Sequence, residues 1–261
     1  MGERTSHPPG TFSWVDLATT DVEGAKAFYH RLFGWEAEDH DAGDAGTYTT
    51  FLLDGREAAG AFPQRAEQRE RGWPATWISH VTVADVDATA ARVPGLGGAV
   101  HAGPFDILEA GRMAVVADPT GGALALWQPR RHHGAAVVNE PGALTWNDLW
   151  TPDPAAATRF YGELLGWEIA PIRGAPYWTI ANGGRRNGGL MEQPQALRDA
   201  GVPAAWNAYV AVADLDAALA TATEAGGELA FGPMEVPAGR FAALRDPQGA
   251  VVSLSEAPMD D

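Results

Sequence analysis

The sequence predicts an α+β fold built from four βαβββ modules, two in each half of the chain. Three observations predict this fold: a long segment occurs twice, a shorter strand–Asp–helix pattern recurs inside each copy, and several strand-like pieces separated by turn residues follow each helix. The two copies of the long segment read FSWVDLATTDVEGAKAFYHRLFGWE (residues 12–36) and LTWNDLWTPDPAAATRFYGELLGWE (residues 144–168). The chain is therefore internally duplicated.

Each copy of the long segment predicts a strand, a turn and a helix. Side chains of the opening strand alternate between the two faces of a sheet. Asp21 lies where a carboxylate caps a helix N-terminus, and Gly34 lies where a glycine ends a helix. Asp153 and Gly166 repeat these signals in the second copy. The same structural unit is therefore expected to begin both halves.

A shorter repeat predicts the second module of each half. Residues 78–85 (ISHVTVAD) resemble residues 14–21 (WVDLATTD), and Asp85 and Asp214 begin the Ala-rich helices that follow. Gly, Pro and Asp turns separate the remaining strands. The clearest of these in the first half are Thr47 to Leu53, Ala58 to Phe62, Ala99 to Phe105, Arg112 to Ala117 and Ala123 to Trp127. We expect the helices to cover one face of strongly curved sheets.

The bulk composition limits the number of domains and the kind of partner. A chain of 261 residues, 46% of them hydrophobic, is long enough for two domains, at 1–130 and 143–261, joined by a polar linker at 131–142. The formal net charge of −16 argues against nucleic acid and anionic membranes. The absence of cysteine excludes disulfides and thiolate ligands. With no apolar run long enough to span a membrane, we expect a cytoplasmic monomer or homodimer that binds a small molecule.

Three motifs, each present in both halves, carry a family resemblance. They are D-x-x-x-A-x-x-F-Y-x-x-L-x-G-W, V-x-V-x-D-[VL]-D and G-R-x-A-x-x-x-D-P-x-G. Together they resemble the vicinal oxygen chelate superfamily, the fold of glyoxalases, bleomycin-resistance proteins and extradiol dioxygenases, and in particular its tandem actinobacterial members that are labelled hydroxylases. The resemblance implies that modules pair to form cup-shaped sheets with the ligand inside. It leaves open whether the modules pair within one half or across the two halves.

The resemblance also indicates where a metal ion would be held. Metal-dependent members place ligands at the start of the two module-opening strands and in the last strand. In this chain those positions are occupied by Trp14, Ile78, Ala125, Trp146, Asn207 and Ser253. Indole and alkyl side chains cannot coordinate a divalent cation, and a neutral amide or hydroxyl is a weak ligand. All seven histidines lie at or before His133, so the sequence predicts that the protein uses no metal or other cofactor.

The neighbours of these positions predict an aromatic small-molecule site. Because strand side chains alternate, Asp16 shares a face with Trp14, and His80 shares a face with Ile78. Such a wall suits stacking of a flat aromatic or polycyclic ligand. The predicted ligand-binding residues are Trp14, Tyr48, Ile78, Met113, Trp127, Trp146, Asp148, Tyr177, Asn207, Tyr209, Phe241 and Ser253.

Two functions follow from this lining. The leading hypothesis is a metal-independent protein that binds an apolar or aromatic metabolite in natural-product tailoring or self-resistance. The alternative is a metal-independent isomerase, cyclase, epimerase or hydroxylase-type enzyme in which Asp16 and His80 are the catalytic acid–base pair.

Structural interpretations of the same residues stay open. Trp14 and Trp146 also suit a core role that fills the former metal space, and Asp16 and Asp148 also suit purely structural hydrogen bonds. The histidines at 132–133 lie beside two arginines and are interpreted as part of a solvated linker.

Overall fold

The computed structural model describes residues 4–43 and 46–256 and contains two eight-stranded mixed sheets. The strands of the first half are β1 (Phe12–Thr19), β2 (Glu36–Asp41), β3 (Thr47–Leu53), β4 (Arg56–Pro63), β5 (Thr76–Thr82), β6 (Ala99–Ile107), β7 (Gly111–Ala117) and β8 (Ala123–Pro129). The strands of the second half are β9 (Leu144–Thr151), β10 (Glu168–Pro171), β11 (Tyr177–Asn182), β12 (Arg185–Glu192), β13 (Ala205–Ala211), β14 (Glu228–Val236), β15 (Gly239–Arg245) and β16 (Val251–Glu256).

Within residues 4–43 and 46–256, six α-helices accompany the sheets. They are α1 (Val22–Phe33), α2 (Ala66–Glu70), α3 (Val86–Arg92), α4 (Pro154–Leu165), α5 (Gln195–Asp199) and α6 (Leu215–Glu224), and a single 3₁₀ turn, Pro94–Leu96, follows α3. The first helix of each predicted module is confirmed. The short helices α2 and α5, which connect the two modules of each half, were not predicted from the sequence.

The predicted helix caps are confirmed at all four module helices. Asp21, Asp85, Asp153 and Asp214 each accept a hydrogen bond from the backbone N–H three residues further on, which satisfies a donor that the helix leaves free. Gly34 ends α1 with φ of 74°, in the left-handed region where a side chain would be strained. These caps fix where each strand stops, and therefore which side chains lie on the sheet.

The two modules of one half form one continuous sheet. In the first half the strand order is β2-β3-β4-β1-β5-β8-β7-β6, and β9–β16 repeat this order in the second half. The module-opening strands β1 and β5 are antiparallel neighbours, and each is flanked by a parallel partner, β4 or β8. This pairing confirms the α+β class with four βαβββ modules, and it settles that each cup is closed within one half.

The hydrophobic cores, in contrast, are shared between the halves. One core joins the first module of the first half to the second module of the second half, and it includes Phe28 and Leu254. The other core joins the two remaining modules and includes Leu126 and Phe160. Each half therefore depends on the other to bury its apolar helix faces. The division into folding units at 1–130 and 143–261 stays a prediction.

Two tyrosines bridge the halves inside these cores. The Tyr29 hydroxyl donates to Asp246 Oδ2 at 2.8 Å and accepts from Trp77 Nε1 at 3.0 Å. The Tyr161 hydroxyl donates to the Gly122 carbonyl at 3.2 Å. Burial, together with the negative charge of Asp246, raises the pKa of Tyr29 well above its usual value, so its hydroxyl stays a donor. Buried hydrogen bonds as well as apolar contacts therefore join the two halves in the shared cores.

The segment between the sheets is packed rather than solvated. Ala135 donates its N–H to the Ser13 carbonyl at 2.7 Å, and Ala136 donates to the Glu57 carbonyl at 2.7 Å. The side chains of Ala135 and Val137 are fully buried. The interpretation as a solvated linker is therefore wrong for residues 134–138, whereas His133 is exposed, as that interpretation expects. Within residues 4–43 and 46–256, no helix is long and apolar enough to cross a membrane.

The duplicated arginines at the start of β7 and β15 bind acidic side chains. Arg112 contacts Asp87 in the first turn of α3 and Asp106 on β6. Arg240 contacts Asp216 in the first turn of α6. Each arginine therefore holds a hairpin turn against the N-terminal end of a helix on the exposed surface, away from the residues that line the cups.

Candidate functional site: two unequal cups

The first cup is the face of the first sheet that carries Trp14, Asp16, Tyr48, His80 and Trp127. Strand register brings these residues together, because Trp14 on β1 lies opposite His80 on β5. The next strand, β8, places Ala125 beside His80, two residues before Trp127. The alternation that the sequence predicted therefore converges on one face.

Asp16 is the centre of the first cup. Its Oδ1 accepts hydrogen bonds from Trp14 Nε1 at 2.9 Å and from the Tyr48 hydroxyl at 2.7 Å, and its Oδ2 lies 3.1 Å from His80 Nε2. Asp16 is 7% exposed and His80 3% exposed. Gly60 lies opposite on β4, where a Cβ atom would overlap the Tyr48 hydroxyl and the Asp16 carboxylate. The cluster needs both the buried donors and this glycine.

The electrostatics of the first cup favour an ionised carboxylate. Burial alone would raise the pKa of Asp16, but the neighbouring His80 and the hydrogen bonds from His80, Tyr48 and Trp14 together hold it below its usual value. Burial and the Asp16 charge raise the pKa of Tyr48 well above its usual value, so this phenol remains protonated. His80 Nδ1 is buried without a hydrogen-bond partner in the described parts of the chain. In the Asp16–His80 pair, the carboxylate therefore contacts Nε2 of the imidazole, and Nδ1 has no partner among the described residues.

Residues 132–138 cover the first cup. The His132 ring lies edge-on to Trp14 at a centroid distance of 4.5 Å, and its carbonyl accepts from Trp127 Nε1 at 3.1 Å. His132 Nδ1 lies 3.1 Å from Glu57 Oε2. Two apolar residues of the same segment form a small cluster with Trp14, which is 2% exposed. The prediction that His132 is solvated is thus wrong, because its ring completes the wall of the first cup.

The second cup is the corresponding face of the second sheet, which carries Trp146, Asp148, Tyr177, Tyr209 and Ser253. Asp148 Oδ1 accepts from Trp146 Nε1 at 2.8 Å and from the Tyr177 hydroxyl at 2.7 Å. The Tyr209 hydroxyl takes the place that His80 has in the first cup and also hydrogen-bonds Asp148, while Ser253 hydrogen-bonds Tyr209. The Trp–Asp–Tyr cluster is therefore duplicated, but its imidazole is not.

The carboxyl group of the second cup has the opposite electrostatic character. Burial raises the pKa of Asp148 above its usual value, and the hydrogen bonds from Tyr177, Trp146 and Tyr209 offset only part of this effect. Burial and the Asp148 charge likewise raise the pKa of Tyr209 well above its usual value. The second cup is thus a site of neutral hydrogen-bonding groups, with one carboxyl group that ionises reluctantly.

The second cup is also more open and more aromatic. Trp146 is half-buried, whereas its counterpart in the first cup is almost fully buried. A row of rings runs from Trp150 to Phe231 (5.3 Å), to Phe241 (6.3 Å) and to Tyr209 (6.1 Å). Trp150 and Phe231 were missed in the sequence. Trp150 could have been found by extending the alternation on β9 by two more residues.

The remaining predicted residues take up places on the same two faces. Ile78 lies opposite Asp16, and Asn207 lies opposite Asp148, both half-buried. Met113 lies opposite Trp127 on β7. The structure therefore groups the predicted residues as two clusters, although their roles in binding stay predictions.

Neither cup offers a donor set for a metal ion at the positions implied by the family. The Trp14 indole N–H is committed to Asp16, and Ala125 is fully buried with only a methyl group to offer. In the second cup, Asn207 donates its amide to backbone carbonyls. Within residues 4–43 and 46–256, no three His, Cys, Asp or Glu side chains are grouped so that they would hold a metal ion. The residues present do not fit a bound divalent cation.

Two family models match the two sheets. A model of the Glyoxalase/Bleomycin resistance protein/Dioxygenase superfamily matches residues 11–126, and a model of a Glyoxalase-like domain matches residues 144–255. The chain belongs to the vicinal oxygen chelate superfamily. This membership confirms the resemblance seen in the motifs, and the tandem arrangement of two vicinal oxygen chelate sheets agrees with the duplication.

Relatives of this vicinal oxygen chelate protein span its whole length. CFP32 of Mycobacterium bovis, a glyoxylase by name, is 43% identical over an alignment of 261 positions that covers 97% of each chain. The anthracycline biosynthesis protein DnrV of Streptomyces peucetius is 36% identical over an alignment of 273 positions, which covers 97% of this chain and 95% of DnrV. The tandem arrangement is therefore common to these proteins.

Solved structures of the superfamily share the fold at low sequence identity. The Mn(II)-bound glyoxalase from Novosphingobium aromaticivorans superposes with a TM-score of 0.65 at 15% identity, covering 100% of this chain and 84% of that one. The 2,2′,3-trihydroxybiphenyl 1,2-dioxygenase from Sphingomonas wittichii strain RW1 gives a TM-score of 0.63 at 16% identity, covering 97% and 92%. At this level of identity the comparison establishes architecture and leaves function to the residues of the cups.

Proposed function

We propose that this protein binds a mid-sized aromatic small molecule in its cups without a metal ion, and that it serves natural-product tailoring or self-resistance. The observation that carries the proposal is the Trp–Asp–Tyr cluster in each cup. Trp14 and Trp146 stand at positions that the family resemblance implies for a metal ligand, and each indole donates to a buried carboxyl group. A rigid indole with an accessible face, as Trp146 has, can select a ligand by stacking and shape.

The relatives support the natural-product part of the proposal. DnrV is named for anthracycline biosynthesis, and it matches this chain along nearly its full length. CFP32, in contrast, is named for glyoxylase activity. The lining of the two cups favours the first kind of role, because the positions from which a glyoxalase-type metal would be held carry indole and alkyl groups.

Binding is tested with the purified protein by equilibrium dialysis against aromatic polyketides and against aliphatic compounds of equal size. We expect saturable binding of aromatic compounds only, at about one molecule per open cup. Elemental analysis of the same preparation is expected to find no stoichiometric transition metal. A tightly held equivalent of metal per chain, or no binding across the panel, would contradict the proposal.

A second candidate function is acid–base catalysis in the first cup. Asp16 orients His80 through the 3.1 Å contact and leaves His80 Nδ1 buried and unpaired, as a general base requires. Since residues 132–138 cover this cup, a substrate would need that segment to move before it reached His80.

The catalytic candidate is tested with Asp16→Asn and His80→Ala, and with Asp148→Asn as the matched control in the second cup. Conversion of the aromatic panel is followed by chromatography and mass spectrometry. Catalysis by this pair predicts a loss of about 100-fold or more for the first two variants and little change for the control. Equal turnover in all three variants would exclude it.

A further inference from the structure

Trp150 has a hydrogen-bond donor that no group within residues 4–43 and 46–256 satisfies. Its Nε1 atom is buried and finds no acceptor there, although the side chain as a whole is only half-buried. An indole N–H can only donate, so an acceptor oxygen on a ligand is a suitable partner for it. A buried donor left without a partner is costly, and such groups are rare in folded proteins.

The other indoles of the chain show that this is not a general property of its tryptophans. Seven of them donate to an identified protein acceptor. Trp146, on the same strand and the same face, donates to Asp148 at 2.8 Å. Trp150 therefore differs from its immediate neighbour in having its N–H free within the wall of the second cup.

The rings around Trp150 form a surface that has no counterpart in the first cup. Phe231 lies edge-on to Trp150 at 5.3 Å, and Phe241 stacks with Phe231 at an interplanar angle of 28°. At the equivalent places in the duplicated sequence, the first half has small or flexible side chains. These are Ala18 for Trp150, Ala102 for Phe231 and Met113 for Phe241. At these three positions the second half therefore has an aromatic wall beside the Trp150 N–H, which the first half lacks there.

The charges of the second cup select a neutral acceptor. Its polar groups are a carboxyl group, phenols, an amide and a hydroxyl, from Asp148, Tyr177, Tyr209, Asn207 and Ser253. None of these five groups is a cation, so a carboxylate ligand would have no opposite charge among them, in a protein of net charge −16. A ketone or quinone oxygen has no charge to compensate and can accept from the Trp150 N–H.

From these observations we infer that the second cup is the ligand site, and that its ligand is a planar aromatic ketone or quinone whose carbonyl oxygen accepts a hydrogen bond from Trp150 Nε1. This inference rests on the proposed function and adds to it the cup, the donor and the chemical class. The first cup, closed by residues 132–138, keeps its indole and imidazole for internal contacts.

The test compares three tricyclic probes by equilibrium dialysis with the full-length protein. Fluorene and 9-fluorenone have the same planar skeleton without and with a carbonyl group, and 9-fluorenone-4-carboxylate adds a charge. We expect 9-fluorenone to bind about tenfold more tightly than fluorene, the effect of one neutral hydrogen bond in a buried site. The carboxylate is expected to bind more weakly than the ketone.

Two pairs of variants locate the interaction. Trp150→Phe keeps an aromatic ring and removes the N–H, so the preference for the ketone is expected to fall to about onefold. Trp73→Phe, at a side chain 51% exposed, is expected to keep the preference unchanged. Phe241→Ala is expected to weaken 9-fluorenone binding, whereas Leu108→Ala, at a side chain 68% exposed in the first half, is expected to leave it unchanged.

Each outcome decides between the inference and the proposed function. Equal binding of fluorene and 9-fluorenone, or a preference that survives in Trp150→Phe, overturns the inference while aromatic binding still stands. Absence of binding by every probe counts against both. If Trp150→Phe fails to fold, indole ¹⁵N–¹H spectra of the unmodified protein give the answer. The Trp150 signal must shift with 9-fluorenone and not with fluorene, and an unshifted signal overturns the inference.

Discussion

The two cups show how the same polar cluster acquires different properties from its neighbours. Asp16 and Asp148 each accept from a tryptophan and a tyrosine at nearly equal distances. Beside Asp16 stands an imidazole, which lowers its pKa, whereas burial beside a phenol raises the pKa of Asp148. One substitution in the duplicated sequence, His80 against Tyr209, thus accompanies opposite pKa shifts of the two carboxyl groups.

The cups also differ in what lies above them. Residues 132–138 pack on Trp14 and close the first cup, whereas Trp146 in the second cup stays half-buried. An almost fully buried indole such as Trp14 has no surface left to stack on a ligand, whereas a half-buried indole such as Trp146 has one. Of the two indoles, Trp146 is therefore the better placed to contact the ligand that we propose.

The largest expected effect is from removing these two indoles. Trp14→Ala leaves a closed cavity and removes the indole N–H that donates to Asp16, so it should lower the free energy of unfolding by about 4 kcal/mol. Trp146→Ala opens onto an accessible cup and should cost about 2 kcal/mol. Urea denaturation of both variants measures the difference. Equal losses would show that the two cups are equally closed.

The paired glycines test the clusters themselves. A methyl group in Gly60→Ala would overlap the Tyr48 hydroxyl and the Asp16 carboxylate, and one in Gly189→Ala would overlap the equivalent groups of the second cup. We expect losses of about 3 kcal/mol at Gly60 and about 2 kcal/mol at Gly189, where the open side allows relaxation. Gly95→Ala, at a glycine outside the left-handed region where a Cβ atom meets nothing, is the matched control.

The carboxyl groups should respond to pH with opposite sign. The lowered pKa of Asp16 stabilises the folded state above about pH 3.8, and this contribution is lost as pH falls through the folded value. The raised pKa of Asp148 contributes stability below about pH 3.8 that is lost as pH rises through its folded value. Asp16→Asn should cost about 2 kcal/mol at neutral pH, for a hydrogen-bonded charge, and less in acid.

Asp148→Asn provides the contrast. Relative to the unmodified protein, its free energy of unfolding should improve as pH rises from about 4 to 7, because the amide has no proton to lose. Denaturation midpoints across this pH range measure both variants. Parallel pH profiles for the two asparagine variants would contradict the opposite pKa shifts of Asp16 and Asp148.

The smallest expected effect is in residues 132–138, the covering segment of the first cup. His132→Ala removes a partly exposed pair with Glu57 and a ring contact with Trp14, so it should cost about 1 kcal/mol or less. Amide exchange across residues 132–138 should nevertheless accelerate. The neighbouring exposed His133→Ala is the matched control. Unchanged exchange in His132→Ala would mean that the apolar residues alone hold the segment.

Much of this arrangement follows from strand alternation and capping rules. Asp21 and Gly34 mark the helix ends as local chemistry requires, and alternation alone brings Asp16 and His80 to one face. These predictions succeed because they depend on residues close in sequence or on a fixed period of two.

The features that were missed depend on distant contacts. The two halves carry the same apolar pattern, so the sequence cannot tell whether Phe28 packs within its own half or, as the structure shows, against the other. The covering segment contains a short apolar run, Ala135 to Val138, that is too short to show a period and is flanked by polar residues. Trp150 was overlooked because the alternation on its strand was read only as far as Asp148.

The shared interiors limit how such a protein can be reassembled. Tyr29 reaches an acidic group 217 positions away, and Ser79 Oγ donates to Asn147 Oδ1 at 2.6 Å where the sheets meet. A chimaera that takes one half from a homologue must therefore import matching residues into both interiors at once. The cup walls lie outside this constraint, so grafting a new lining onto the second sheet is the gentler route to altered recognition.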